Sequence, residues 1–290
     1  RFNFIHGEAT IEIDGINKNK QSINYNGISW LDNKMIEKSD LVISDNLASI
    51  LEIRSDVILM GSFLWSELIF NDNHKELNDY ANLELKLIKD IVPEMIALRD
   101  MVMPFVINHT KPFLTSWIVD FKYDLFVKTE INNILVLGGG TGYLDSDLAD
   151  VCEILSSSEK YNIYTTNRIS LLLSNNISYD IFGFTNDEFK KIDLIIGRPG
   201  IGTLTDCVAH GIPIFGVGES DNTEIQHNLK KITSLFFGLD ISSEIKNINL
   251  LINNIQSDGS YQGFQKKLIN TKKNGLTEIT NFILNKLYEK

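Results

Sequence analysis

Two glycine-rich segments of the sequence each follow a short run of large aliphatic residues and precede a helical pattern. The first glycine loop is GGGTG at 138–142, after ILVL, and the second glycine loop is GRPGIG at 197–202, after DLII. Such runs predict buried strands, and repeated strand–loop–helix units pack as a parallel sheet with helices on both faces. Ligands of such sheets bind beyond the carboxyl ends of the strands. Both loops lie at such an end, so we expect the backbone there to approach a bound molecule.

The alternation of strands and helices extends along most of the chain and predicts the α/β fold class. Strands are predicted in the segments ATIEI, SDLVISDN, SDVILMGS, MPFVINH, NNILVL, YNIYTT, YDIFGF, IDLIIG and IPIFGVG. Helices are predicted at 47–52, 74–101, 144–157, 169–173, 186–191, 204–210, 223–236, 248–255 and 276–287. Pro93 is expected to kink or divide the helical pattern at 74–101. The polar stretch 120–133 is the best candidate for a linker.

Composition excludes several classes of protein. The chain has 290 residues, 43% hydrophobic and 22% charged, which is typical of a globular protein with one or two domains. A net charge of −11 argues against nonspecific nucleic-acid binding but is compatible with a local cationic pocket for a phosphate. Cys152 and Cys207 provide neither a disulfide framework nor a metal-binding spacing. We find no signal peptide and expect a cytoplasmic protein; because the first residue is Arg1, we leave open that an N-terminal piece precedes it.

The first glycine loop has the composition of an anion site, because its backbone amides and the following helix dipole can bind a phosphate. Its candidate binding residues are Gly139, Gly140, Thr141 and Gly142. A dinucleotide fingerprint would need a glycine where Tyr143 stands. An S-adenosylmethionine-dependent methyltransferase would need an acid after the next strand, where the sequence has Thr165, Thr166 and Asn167. A tight turn without a ligand also remains open.

The second glycine loop provides a stronger signal. Gly200 and Gly202 precede a helix that we expect to start at Thr203, whose hydroxyl and amide could bind a phosphate. Asp206 lies one helical turn further on, where a carboxylate could accept hydrogen bonds from a ribose diol. Arg198 would place positive charge near the phosphate. These features also have an ordinary explanation. Thr203 could simply cap the helix, and Asp206 could simply be an acid that the helix dipole stabilises in the first turns.

The spacing of this segment resembles the donor-binding segment of the GT-B glycosyltransferases. UDP-glycosyltransferases of plants and animals carry His-Cys-Gly-x-x-Ser-x-x-Glu followed by Gly-x-Pro. The family 28-like N-acetylglucosaminyltransferases, which complete the lipid-linked peptidoglycan precursor, carry Arg-Ser-Gly-x-x-Thr-x-x-Glu. The segment RPGIGTLTDCVAHGIP fits the second pattern without a gap, and TEIQHN then supplies an acid and an asparagine. The resemblance covers about 131–290, whereas the first half shares only a general layout.

The resemblance implies a role for each matching residue. Thr203 and Gly202 would hold the diphosphate of a nucleotide sugar, and Asp206 would bind the ribose in place of the family's longer glutamate. Glu224 would contact hydroxyls of the donor sugar with help from Gln226. Three further positions would complete the pocket: Phe184 at the nucleobase, Arg198 at the phosphates, and the first glycine loop facing the phosphates.

The resemblance also implies an architecture and an activity. Two Rossmann-like parallel-sheet domains would face a cleft, with 1–125 on the acceptor side, 131–274 binding the nucleotide sugar, and 275–290 crossing back as a helix. We leave open that the N-terminal domain is incomplete and lacks its first strand–helix units. The enzyme would transfer a sugar from a UDP-linked donor to an unidentified acceptor, which could be a glycan, a lipid-linked molecule or a small molecule. The expected role is cell-surface glycan synthesis, and peripheral membrane association is left open. We expect no cofactor. We also expect no metal, because the acids of the DSD segment at 145–147 are favoured at a helix start whether or not a metal binds there.

An inverting transfer needs a general base near the acceptor hydroxyl. The weak candidates are His6, Asp45 and His109, because the sequence lacks the glycine-rich loop with a histidine that usually supplies this base. Because the sequence does not show the usual general base, other functions remain open. These are a nucleotide-sugar epimerase or hydrolase of the same fold, a non-catalytic nucleotide-sugar-binding protein, and the methyltransferase.

Overall fold

The computed structural model describes residues 11–14, 22–25, 33–69, 75–119, 124–140 and 142–288. The chain divides into two compact units, Arg1–Thr115 with Glu278–Lys290, and Ser116–Thr277. Each unit has its own parallel sheet, with four strands in the first and six in the second. The α/β fold class predicted from the sequence is therefore confirmed.

The four strands of the first unit's parallel sheet lie side by side in their sequence order, and they are the last four of its six strands. Its strands are β1 (Ile11–Asp14), β2 (Ser22–Tyr25), β3 (Ile43–Asp45), β4 (Ile58–Met60), β5 (Glu94–Leu98) and β6 (Lys111–Thr115). Its helices are α1 (Asn33–Lys38), α2 (Trp65–Ile69), α3 (Lys75–Ile91) and α4 (Pro104–His109), with a 3₁₀ helix at Ala48–Glu52. Strands β1 and β2 form a separate antiparallel pair.

Two predictions for the first unit were wrong. The helical pattern at 74–101 ends at Ile91, and the residues after Pro93 form β5, because Met95, Ile96 and Ala97 are all buried in the middle of the sheet. The segment MPFVINH forms α4 instead of a strand, since Pro104 occupies the first helical turn, where its missing N–H is tolerated.

The second unit contains the longer run of alternating elements. Its strands are β7 (Asn133–Leu137), β8 (Asn162–Thr165), β9 (Asp180–Ile181), β10 (Leu194–Gly197), β11 (Ile214–Gly216) and β12 (Gly238–Asp240). Its helices are α5 (Asp145–Ser156), α6 (Asn167–Ser170), α7 (Asn186–Phe189), α8 (Ile201–His210), α9 (Thr223–Ser234), α10 (Ile248–Ser257) and α11 (Ser260–Ile269), with a 3₁₀ helix at Ile245–Asn247. The last helix, α12 (Gly275–Tyr288), begins in this unit.

The strand order of the second unit, β12-β11-β10-β7-β8-β9, reverses direction between β7 and β10. Leu137 pairs with Gly197 at the carboxyl ends of these two strands. A Cβ added at Gly197 would lie 2.0 Å from the Leu137 carbonyl oxygen, so the close strand approach requires glycine there. The crevice outside such a switch point is the usual ligand site of open α/β sheets.

Helix α12 packs on the sheet of the first unit. Ile279 is buried with Ile58 and Ile96, and the Phe282 ring stacks on Phe113 with centroids 4.3 Å apart. The Lys286 ammonium lies 2.5 Å from the Glu94 carboxylate. The amphipathic pattern of the C-terminal helix thus finds its apolar partner in that sheet.

Candidate functional site

The two glycine loops lie side by side at the switch point of the second unit. The first follows β7 and the second follows β10, and these strands are hydrogen-bonded neighbours. A Cβ placed on Gly139 would be 3.6 Å from Cδ of Arg198, so the first loop lies close to the side chain at the start of the second. The fold therefore brings together two segments that are about sixty residues apart in the sequence.

Helix α8 begins earlier than the sequence suggested. Its N-cap is Gly200, and the Leu204 amide donates to the Gly200 carbonyl oxygen at 3.0 Å. Thr203 is therefore the third helical residue and not the first; the run GIG enters the helix because Gly200 adopts the extended N-cap conformation. The amides of Ile201, Gly202 and Thr203 have no acceptor within the helix, and a Cβ on Gly202 would meet no atom within 4 Å. This helix start can receive an anion.

Arg198 stands directly beside this helix start and is held by a carboxylate that we did not predict. Its Nε donates to Glu219, with distances of 3.0 Å and 3.3 Å to the two carboxylate oxygens. The side chains are 13% and 6% exposed, so the ion pair is nearly buried. Nη1 of Arg198 lies 4.0 Å from the position of a Cβ on Gly200. Glu219 binds the Nε side of the guanidinium, which fixes its orientation beside the loop.

Helix α9 places the predicted sugar-binding residues next to Arg198. Asn222 caps the helix by accepting from the Ile225 amide at 3.1 Å, and Gln226 donates to the Glu219 carbonyl oxygen at 2.9 Å. Burial raises the pKa of Glu224, while Arg198 and a hydrogen bond from Asn228 lower it. Gln226 is thus hydrogen-bonded to the backbone of Glu219, the partner of Arg198. Glu224 is close enough to Arg198 for the positive charge of the guanidinium to favour its ionised form.

One face of α8 leads from the helix start to an aromatic cluster. Asp206 is half-buried, and burial raises its pKa from 3.8 to about 6. His210 lies one turn further along, with its ring stacked on Phe189 at a centroid distance of 4.5 Å. Burial lowers the pKa of His210 to about 4, so this ring is neutral at pH 7.

Phe184 belongs to the aromatic cluster and is held in an unusual conformation. Its φ is +59°, a region that side chains other than glycine, asparagine and aspartate rarely adopt. The ring is 52% exposed and packs edge-on against Phe182, with centroids 5.1 Å apart. The next residue, Thr185, forms a capping box with Glu188 at the start of α7, and this box fixes the chain after Phe184. An exposed aromatic ring on a strained backbone is available for stacking.

A second unpredicted ion pair supports the first glycine loop. Asp145, at the start of α5, accepts hydrogen bonds from Nε and Nη2 of Arg168 at 2.7 Å and 3.0 Å. The same guanidinium donates to the carbonyl oxygens of Gly139 and Gly140, both at 2.8 Å. No sequence motif singles out Arg168, because the contact depends on the pairing of β7 with β8.

The candidate bases are not brought together. Asp45 is exposed at the carboxyl end of β3, and the His109 ring packs 4.1 Å from that of Phe105 just before the amino end of β6. His6 lies outside the described residues, as does Thr141 of the first glycine loop. All of these assignments remain predictions.

Two further features of the described residues concern metal binding and membrane crossing. Within the described ranges, no group of three His, Cys, Asp or Glu side chains is arranged to hold a metal ion. Asp145 of the DSD segment is instead engaged by Arg168. None of the described helices combines the length and the apolar character that crossing a membrane would require.

The structure is similar to several solved glycosyltransferase structures. SnogD from Streptomyces nogalater gives a TM-score of 0.53 at 13% identity, over 86% of this chain and 75% of that chain. The glycosyltransferase VinC in complex with DTDP gives 0.54 at 15% identity, over 88% and 74%. UDP-glucose:anthocyanidin 3-O-glucosyltransferase in complex with UDP gives 0.57 at 9% identity, over 86% and 76%. The fold is GT-B.

Sequence comparisons give no corresponding match. No protein-family model matches the chain, and a comparison with curated proteins finds no relative. Identities of 9% and 15% with GT-B structures establish the fold alone, so function must be argued from the site. The GT-B resemblance inferred from the RPGIGTLTD segment is confirmed at the level of fold.

Proposed function

We propose that the chain is a glycosyltransferase that moves a sugar from a nucleotide diphosphate sugar to an acceptor. The observation that carries this proposal is the start of α8, where open space over Gly202 meets helix amides without internal acceptors. Arg198 lies beside them with its orientation fixed by Glu219. Backbone donors, helix dipole and an oriented guanidinium together suit a diphosphate. The GT-B fold supports the proposal, since similar structures are described with UDP and with DTDP.

The face of α8 suggests how the rest of the nucleotide binds. With the diphosphate held by Gly202 and Thr203, the ribose would lie against Asp206, one turn along the helix. A carboxylate there accepts hydrogen bonds from two neighbouring hydroxyls, which UDP has and dTDP lacks at the 2′ position. The base would stack on Phe184, an exposed residue that packs against Phe189, whose ring in turn stacks on His210 of α8. We therefore propose a UDP-linked donor.

The proposed chemistry breaks the bond between the sugar's anomeric carbon and the diphosphate oxygen. The negative charge that develops on the leaving diphosphate would be stabilised by the α8 amides and by Arg198, whose orientation Glu219 fixes before any donor binds. Glu224 would hold hydroxyls of the sugar. An acceptor oxygen forms the new bond and loses its proton to a general base, for which His6, Asp45 and His109 are the candidates that the sequence offers. The acceptor class and any membrane association remain proposals.

Calorimetry with UDP, dTDP and S-adenosylmethionine tests the proposal directly. We expect UDP to bind more tightly than dTDP, and Gly202→Val to abolish UDP binding without loss of thermal stability, because the added side chain enters open space. Thr205→Val in the same helix is the matched control. S-adenosylmethionine binding that survives Asp206→Asn, without UDP binding, would instead establish the methyltransferase.

Turnover then separates the enzymatic alternatives. Release of UDP from UDP-glucose or UDP-N-acetylglucosamine is measured with and without acceptor extracts, and with EDTA to test metal dependence. Release that requires acceptor supports the transferase. Release of UDP without an acceptor indicates a hydrolase, and a changed sugar on an intact nucleotide indicates an epimerase. Tight UDP binding with neither UDP release nor a changed sugar indicates a binding protein.

A further inference from the structure

The first glycine loop is held from one side by Arg168. Its guanidinium makes hydrogen bonds to both carboxylate oxygens of Asp145 and to the carbonyl oxygens of Gly139 and Gly140. A guanidinium has five N–H donors, so these contacts occupy most of them. Arg168 therefore acts on the loop and is not placed to be a main ligand of a phosphate.

Three of the four glycines of this loop are explained by the ion pair or by their backbone conformation. A Cβ at Gly138 would lie 2.2 Å from Oδ1 of Asp145, and one at Gly142 would lie 3.1 Å from Cζ of Arg168. Gly139 and Gly142 also have φ values of +73° and +74°, which favour glycine. Gly140 differs, because a Cβ there would meet no atom within 4 Å and the fold itself does not require its absence. The loop is open to solvent or ligand at this residue.

The hydrogen bond to Gly139 determines where the next amide points. In a trans peptide unit, the carbonyl and the N–H point in opposite directions. Because the Gly139 carbonyl points to Arg168, the N–H of Gly140 points away from it, at the residue where the loop is open. A Cβ on Gly139 would lie 3.6 Å from Cδ of Arg198, so this part of the loop lies next to the start of the second glycine loop.

We propose that Arg168, braced by Asp145, is a positioning residue for the donor diphosphate: it turns the loop carbonyls inwards and presents the Gly140 amide to the phosphates. This inference rests on the proposed function, because it assigns Arg168 to the same donor site. It adds a residue that contacts the loop and not the donor. It also predicts that the fork geometry of arginine matters, since a lysine carries the charge but cannot hold Asp145 and two carbonyls together.

The test compares UDP with uridine in the variants Arg168→Lys and Arg168→Met. We expect each variant to bind UDP about tenfold more weakly, the effect of losing oriented hydrogen bonds to a charged group. Uridine affinity should change by less than about twofold, because the nucleoside has no phosphate for the loop to bind. Calorimetry measures both, and thermal melting checks that each variant is folded.

Arg54 provides a matched control in the first unit. Its guanidinium likewise bridges an aspartate, Asp56, and backbone carbonyls, here the three of Ile36, Ser39 and Asp40. Arg54→Lys should therefore cost similar thermal stability but leave UDP affinity unchanged. A wild-type chain that binds neither UDP nor dTDP overturns the proposed function and this inference with it. If the wild type binds UDP, the inference alone fails when Arg168→Lys retains full UDP affinity, or when uridine is weakened as much as UDP.

Discussion

Asp206, which we propose to bind the donor ribose, should lower the stability of the free protein. Burial raises its pKa from 3.8 to about 6, so the folded protein holds an ionised carboxylate at neutral pH in a less favourable environment than the unfolded chain provides. A difference of that size corresponds to about 3 kcal/mol without screening. Because Asp206 is only half-buried, water screening reduces the expected cost to about 1 kcal/mol.

The sign of the pH dependence follows from proton binding. Between pH 3.8 and about 6 the folded state binds more protons at Asp206 than the unfolded state, so its contribution to stability falls as pH rises through this window. Asp206→Asn removes the titrating group. The variant should therefore be more stable than the wild type by about 1 kcal/mol above pH 6, or about 3 °C in melting temperature, and the advantage should disappear below about pH 4.

The assay is thermal melting of both proteins from pH 8 to pH 4, with UDP affinity measured at pH 7.5. Asp150→Asn, an exposed acid in the middle of α5, is the matched control and should melt like the wild type at every pH. We expect Asp206→Asn to melt higher at neutral pH and to bind UDP more weakly. A variant that is less stable at pH 7.5, or an advantage that persists unchanged at pH 4, would refute the assigned cost of burying this carboxylate.

Three further predictions concern the fold around the site. Glu219→Gln should lower the free energy of unfolding by about 3 kcal/mol in urea titrations, because it leaves the nearly buried Arg198 without its carboxylate; an unchanged midpoint contradicts this. Gly197→Ala should prevent stable folding, whereas Gly140→Ala should melt within about 2 °C of the wild type, since only the first meets a backbone oxygen. Phe184→Gly should relieve about 1 kcal/mol of backbone strain but weaken uridine and UDP alike; selective loss of UDP would argue against a nucleobase contact.

Local patterns predicted most of the second unit correctly, because its central strands β7, β10 and β11 are almost entirely buried and run into glycines. The aliphatic runs before 138 and 197 are such strands, and α5 and α9 lie within two residues of their predicted bounds. Weaker signals failed. Strand β12 has only three residues, and α11 has lysines and glutamines among its few apolar residues, so neither was predicted.

The residues of the candidate site could be proposed from the sequence only where they are sequence neighbours. Arg198, Gly202, Thr203 and Asp206 lie within one strand–helix junction, so their spacing alone suggested a phosphate and a ribose. The carboxylate partners of the two arginines could not be found in this way. Each pairing joins residues more than twenty positions apart, and it depends on which strands become neighbours in the sheet.

The two arginines beside the glycine loops each have a carboxylate partner, and this arrangement has a consequence for selectivity. Paired guanidinium groups generate little net field at a distance, so the pocket would attract passing anions weakly and its association rate should respond little to ionic strength. Discrimination between a nucleotide and other anions would then depend on the shape of the pocket and on the fixed dipoles of the backbone amides. Abundant small anions such as inorganic phosphate or sulfate should compete poorly, because they cannot span from the helix start to the aromatic ring.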